Sequence, residues 1–242
     1  MRGTTSIEYH PDHGWLLAVL RFLLALLIIL VLAYFTESHA QKQSSTRHLT
    51  TADVVEAEQL LSDLGYWTGP VDGVLDGATR HGLTAFQKVE GRKRSGRLTV
   101  AELEALRVAS PPEARDKTYA HLEVDLERQI LMVVDETGRA SRILPVCTGN
   151  EKMYVDQGRR QRAHTPRGRF TVTRKINGLR ISTLGSLYYP CYIVNGIAIH
   201  GSASISPYPA SHGCIRIPMF AAREFHDITP VGTVVLVYDD SE

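Results

Sequence analysis

Between His200 and Arg216 a short stretch carries a thiol, two imidazoles and small turn residues: His200-Gly201 opens it and Ser211-His212-Gly213-Cys214-Ile215-Arg216 closes it. These are the groups that cysteine acyl transfer needs. A thiolate attacks carbonyls well, but a base must generate it and backbone N–H groups must hold the oxyanion that forms. Cys214 is the candidate nucleophile, and Gly213 permits a tight backbone that aims its own N–H and that of Cys214 at the developing charge. Arg216, always charged, has two open uses: binding a substrate carboxylate or tying the loop to a backbone carbonyl. Pro218-Met219-Phe220 through His226 reads as the first turns of a helix, which places Cys214 just before a helix N-terminus, where the dipole favours thiolate. A zinc site from His200, His212 and Cys214 has only three ligands, two of them crowded into one turn, so no metal is expected.

The elements around this stretch read as strands. His121–Leu126, Gln129–Val134, Ile143–Cys147, Arg169–Arg174, Tyr192–Val194, Ile197–Ile199 and Thr233–Tyr238 are short β-rich runs punctuated by turn residues. Glu136-Thr137-Gly138 and Asn195-Gly196 read as hairpin turns, the second delivering His200 to a strand end. Upstream the period is helical. Val54, Val55, Leu60, Leu61 and Leu64 share one face, with Asp53 as a cap and Gly65 as the stop. Further helices are expected over Asp76–Val89 and Thr99–Leu106, and Ser110-Pro111-Pro112 marks the boundary with the β-rich part.

The fold class expected is multidomain: an N-terminal transmembrane or signal helix, a small three-helix domain, then a mostly-β domain. The segments are residues 1–40, a linker at 41–50, the helical domain at 51–107, a proline-containing linker at 108–117 and the β domain at 118–239. From Trp15 to Phe35 the chain is apolar except for Arg21. It reads as an uncleaved anchor in the cytoplasmic membrane, or as a signal peptide cleaved after Ser38-His39-Ala40. Both readings export residue 41 onward to the cell envelope, facing the periplasm or wall.

A formal net charge of +1 argues against a nucleic-acid partner. Seven Lys or Arg lie between Arg159 and Lys175 with no acid among them, which is either a solvated hairpin or an attractor for carboxylate-rich peptides. Three cysteines cannot form a disulfide scaffold, and Cys147 and Cys191 read as buried thiols or, alternatively, as a pair that leaves Cys214 free.

His200-Gly201 with Ser211-His212-Gly213-Cys214-Ile215-Arg216 resembles the signature of the YkuD-type L,D-transpeptidases, which cross-link peptidoglycan. Val124-Asp125-Leu126 through Gln129, Val146-Cys147-Thr148-Gly149 and Thr165-Pro166-Arg167-Gly168-Arg169-Phe170 resemble further landmarks of that domain, so the likeness runs from about Thr118 to Tyr238. Cys147 stands where the family often has Ser, and the gap between His200 and Ser211 is short. Leu64-Gly65-Tyr66, Val71-Asp72-Gly73, Thr79 and Phe86-Gln87 resemble the peptidoglycan-binding domain 1 family. Asp72 and Gly73 read as turn formers, and Tyr66, Trp67 and Gln87 as candidates for either ligand contact or packing.

The resemblance implies that Cys214 is the nucleophile, that His200 is its base and that the Gly201 carbonyl orients the imidazole, with His212 and Gly213 shaping the oxyanion loop. Arg216, Ser211 and Tyr188 are the expected substrate contacts, Ser211 also being a hydrogen-bonder at the loop entrance. The implied partners are peptidoglycan stem peptides and glycan, with no metal or organic cofactor. The implied reaction is acyl transfer from a tetrapeptide stem through a thioester to an amine. The alternatives are an L,D-carboxypeptidase or wall amidase using the same thioester, and a non-catalytic wall-binding protein.

Overall fold

A computed structural model describes residues 22–31 and 48–239. Of the apolar run Trp15–Phe35, residues 22–31 form a helical stretch with exposed side chains. The remainder of the expected anchor or signal peptide lies outside the described residues, among which no helix is long and apolar enough to cross a membrane.

The chain from Leu49 onward forms one compact unit. Helices α1 (Thr51–Asp63), α2 (Gly77–Val89) and α3 (Val100–Val108) open it. The cap of α1 is Thr50 rather than Asp53: the Thr50 hydroxyl accepts the Asp53 N–H, and the Asp53 carboxylate accepts the Thr50 N–H in a capping box. Asp76 and Thr99 cap the next two helices by side-chain bonds alone, accepting the N–H groups of Thr79 and Glu102.

Two five-stranded sheets follow, ordered β3-β2-β1-β12-β6 and β11-β10-β9-β7 with β8 on β9, plus the separate hairpin β4–β5. The strands of the first sheet are β1 (His121–Asp125), β2 (Ile130–Val134), β3 (Ala140–Pro145), β6 (Gly168–Thr171) and β12 (Val234–Tyr238). The second holds β7 (Arg174–Lys175), β8 (Leu179–Ser182), β9 (Gly185–Val194), β10 (Ile197–Ser202) and β11 (Ile215–Pro218), and the hairpin is β4 (Met153–Asp156) with β5 (Arg159–Arg162). Helix α4 (Met219–Ile228) packs on β9 and β10. The Asn195-Gly196 turn has φ of 45° and 81°, the left-handed pair that a two-residue hairpin demands.

Strand β2 explains how the helices are held. Its sequence Ile-Leu-Met-Val-Val is apolar at every position, as in a strand buried on both faces. Leu131 joins the core between the sheets, whereas Ile130, Met132 and Val134 join Leu61, Leu83, Phe86 and Leu103 of the helices. Burial of each such side chain is worth about 1.5–3 kcal/mol, so the three together rival the whole stability of an ordinary domain. The helical part therefore shares a core with the β part. Residues 65–67 extend the edge of β3, with the Gly65 carbonyl accepting Ile143 N–H and the Ile143 carbonyl accepting Trp67 N–H, at 2.8 and 3.0 Å.

Lys88 crosses the same boundary. Fully buried on α2, it donates to the carbonyls of Gln129 and Val146 at 2.9 and 2.8 Å. Burial, with the Arg94 charge adding to it, pushes its ammonium down to about 7.

Candidate active site

The parallel register of β10 and β11 sets His200 beside Arg216, so both side chains leave the same face of the sheet. Cys214 lies two residues before Arg216 and continues that alternation. All three line a cavity of about 410 Å³, closed by the two hairpins β4–β5 and β8–β9. The hairpins meet where the Thr183 hydroxyl donates to the Asp156 carboxylate at 3.1 Å.

The motifs singled out in the β-rich part of the sequence converge on the loop that presents Cys214. Gln129 donates its amide N–H to the Thr148 hydroxyl and accepts the Thr148 N–H, fixing residues 146–149. That segment pairs with β11 through reciprocal Cys147–Arg216 backbone bonds of 3.1 and 3.0 Å. The Thr148 carbonyl accepts the N–H groups of Ala210 and Ser211. Thr165 accepts the Gly149 N–H and donates to the Gly213 carbonyl at 2.7 Å. From the helical side, Arg94 donates to the Pro207 carbonyl at 3.1 Å and lies over the Tyr208 ring. The loop between His200 and Cys214 is thus held from both halves of the compact unit.

His200 is 5% exposed, and its Nδ1 lies 2.9 Å from the Gly201 carbonyl. A carbonyl only accepts, so Nδ1 carries the hydrogen and Nε2 is left basic. A Cβ on Gly201 would sit 2.4 Å from Ala222 Cβ, which explains the glycine. Burial pushes His200 down to about 4, opposed by the Gly201 bond and assisted by the Arg216 charge. Burial also lifts the Cys214 thiol, against the Ala198 backbone bond and the Arg216 charge that favour thiolate. The resting pair is a neutral thiol and a neutral imidazole.

The helix falls where the sequence places it, at Met219 after Pro218, but Cys214 does not sit at its N-terminus. Ile215–Pro218 is strand β11, and α4 starts only at Met219. At about 3.3 Å per residue the intervening strand carries the dipole roughly 13 Å away, beyond the single turn over which it acts. Iodoacetamide alkylation of Cys214 is accordingly expected to be slow at pH 7 and to rise about tenfold per pH unit between pH 6 and 9. A rate plateau below pH 7, measured by intact mass on the folded protein, would instead reveal a preformed thiolate–imidazolium pair. Cys147 and Cys191 are both free and buried, so the expected alternative of a disulfide between them is not adopted.

Two further expectations change, for Gly213 and Tyr188, and one is decided, for Ser211. Gly213 N–H donates to the Ser211 hydroxyl at 3.0 Å, which removes it as an oxyanion donor and leaves the Cys214 N–H. Ser211 also donates to the Cys214 carbonyl at 2.6 Å and is buried, so its hydroxyl braces the loop rather than contacting substrate. Tyr188 pairs with Gly201 across β9 and β10 and lies outside the cavity wall, where Tyr192 and Leu187 stand instead. His212 is exposed and packs its ring on Tyr154, with centroids 4.6 Å apart. Tyr66, Trp67 and Gln87 are buried packing residues, the Gln87 amide accepting the N–H groups of Ser95 and Gly96. The turn at Asp72 and Gly73 is held by Glu58, which accepts both N–H groups.

Sequence reading missed Tyr154, Gln161, Arg180 and Thr183, all of which line the cavity. The signal was present in Gln157-Gly158, whose φ values of 48° and 74° form a tight hairpin turn between β4 and β5. The basic run Arg159–Lys175 divides among several tasks: Arg162 pairs with Glu151, Arg167 with Asp239, and Arg174 stacks on Tyr192.

The family model for the YkuD L,D-transpeptidase catalytic domain matches residues 119–237, and that for a putative peptidoglycan binding domain matches residues 50–106. An L,D-transpeptidase crystal structure from Xylanimonas cellulosilytica is 40% identical with a TM-score of 0.73, covering 77% of this chain and 93% of that one. A second, from Stackebrandtia nassauensis, is 22% identical with a TM-score of 0.45 over 76% of this chain and 89% of that one. No curated protein matches.

Proposed function

Because the chain belongs to the YkuD-type L,D-transpeptidase family and is a peptidoglycan L,D-transpeptidase, we propose that Cys214 carries the acyl group and that His200 moves the protons. The observation behind this assignment is a thiol and an imidazole with a basic Nε2 opening on one cavity. Neither group is charged at rest, so the proton passes from Sγ to Nε2 as the sulfur attacks. The carbon attacked is the carbonyl of the L-centre residue that precedes the terminal D-alanine of a tetrapeptide stem. The Cys214 N–H supports the oxyanion. Collapse breaks the C–N bond, the departing D-alanine nitrogen takes the proton from the imidazolium, and a thioester remains. An amine of a second stem attacks the thioester, gives its proton to Nε2, and the thiolate leaves and recovers that proton.

Tyr154 and His212 form one wall of the acyl site, and burial, with the Asp156 charge adding to it, holds the Tyr154 phenol above its ordinary range. The peptidoglycan-binding helices hold the enzyme on its polymeric substrate. Work on that polymer takes place in the envelope, and export through the apolar run Trp15–Phe35 accords with it.

Incubation of residues 41–242 with purified disaccharide-tetrapeptides, followed by mass spectrometry, is expected to yield cross-linked dimers and free D-alanine. Tripeptides without dimers would replace the transferase assignment with a hydrolase using the same thioester.

A further inference from the structure

The catalytic cavity holds two arginines and no carboxylate. Its wall includes Arg180 on β8 and Arg216 on β11, while none of the lining residues is Asp or Glu. Arg92, Arg107, Arg128, Arg162 and Arg167 each pair with an acid at hydrogen-bond distance. Two acids of the adjoining hairpin region are committed to other partners: Asp156 accepts from Thr183, and Glu151 pairs with Arg162 and His164. Among the described residues neither the Arg180 nor the Arg216 guanidinium has a hydrogen-bond or ion-pair partner.

The two arginines stand at different depths. Arg216 is beside His200 and close to the thiol, as the in-register pairing requires. Arg180 is on the outer hairpin, opposite Leu187. A tetrapeptide donor carries charges in a matching order: the carboxylate of the terminal D-alanine lies next to the scissile bond, and the internal carboxyl groups of the stem lie further along.

Resting on the assignment of Cys214 and His200 above, we propose that Arg216 and Arg180 form a two-point carboxylate clamp. Arg216 takes the terminal carboxylate of the donor stem and Arg180 takes an internal one, so that the enzyme selects stems whose internal carboxyl groups are free over stems in which they are amidated. Guanidinium suits this role because its planar fork matches a carboxylate with two parallel hydrogen bonds and cannot lose its charge. An amide in place of the carboxylate keeps the shape but presents N–H to N–H at one of the two contacts, which costs affinity through mismatch as well as lost charge. With the hairpins closing the cavity from both sides, the contact is less screened than on an open surface.

The test compares disaccharide-tetrapeptides with internal carboxyl groups free, or amidated at the glutamyl or the diamino acid residue. Turnover is measured with the wild-type enzyme, Arg180→Gln and Arg180→Lys, and binding with Cys214→Ala alone and combined with Arg180→Gln. The wild type is expected to favour the free stem about five- to tenfold, the scale of one exposed to half-buried charge-assisted contact, mainly through KM. Arg180→Gln should abolish that preference, and Arg180→Lys should keep part of it. Equal handling of free and amidated stems by the wild type, or a preference that survives in Arg180→Gln, would overturn the clamp while leaving the cysteine mechanism intact. Absence of turnover with every stem would overturn the mechanism, and the clamp would then be decided by whether Cys214→Ala binds the free stem more tightly and loses that difference with Arg180→Gln.

Discussion

Cys214→Ala is expected to reduce dimer formation to background, a loss of at least about 10⁴-fold, with no acyl-enzyme seen by intact mass spectrometry. The physical reason is that no other thiol can substitute: Cys147 is buried and holds its backbone against Arg216, and Cys191 is buried with its thiol pushed up to about 11. His200→Ala is expected to lose about 10²–10⁴-fold, the usual contribution of a positioned base. Because Cys214 is above its ordinary range, the protein without His200 has little thiolate at neutral pH. Raising the pH should therefore restore part of the His200→Ala rate and none of the Cys214→Ala rate. The double variant should be no worse than Cys214→Ala, since the two groups act in one step. A His200→Ala enzyme that retains wild-type turnover at pH 7 would remove His200 from the mechanism.

Gly213→Ala is expected to cost about 10²-fold in kcat with a smaller change in KM. Gly213 has φ of +134°, and a Cβ there would lie 2.8 Å from the His164 carbonyl oxygen and 2.9 Å from Ile197 Cδ1. One neighbour is backbone and cannot swing aside, so the nucleophile loop must move. Its carbonyl accepts from Thr165 and its N–H donates to Ser211, and a shift strains both bonds and displaces Cys214. Displacement of a reacting atom by about 1 Å is enough for a loss of this size. Gly77→Ala, at the first position of α2 with open space around it and no positive φ, should leave activity unchanged and serves as the control. Similar kinetics for Gly213→Ala and the wild type would show that the loop tolerates the shift.

What was legible in the sequence was local. The Asn195-Gly196 turn, the helical faces of α1 and α2 and the grouping of His200 with Cys214 each follow from neighbours within a few residues, because turn dihedrals, helix periodicity and strand alternation act at that range. The motifs of the β domain were also visible as separate pieces. Their convergence was not: Gln129, Thr148 and Thr165 meet at the Cys214 loop only because β-sheet pairing brings together residues far apart in the chain.

The electrostatic state of the site was likewise a tertiary matter. Sequence placed a helix N-terminus next to Cys214, but pairing with β10 extends residues 215–218 as a strand, and burial then keeps both Cys214 and His200 neutral. Tyr188 was an expected substrate contact that register assigns to the scaffold, and of the two uses expected of Ser211 the hydrogen bonding selects the loop brace. The prolines after Ser110 read as a linker between separate bodies. Yet Ile130, Met132 and Val134 gain their burial only from the helices across that linker, and Lys88 has its carbonyl partners only there. The residue types by themselves determined which chemistry this protein carries; the pairing of distant strands, and the burial that pairing creates, decided which groups reach the substrate and in what charge state.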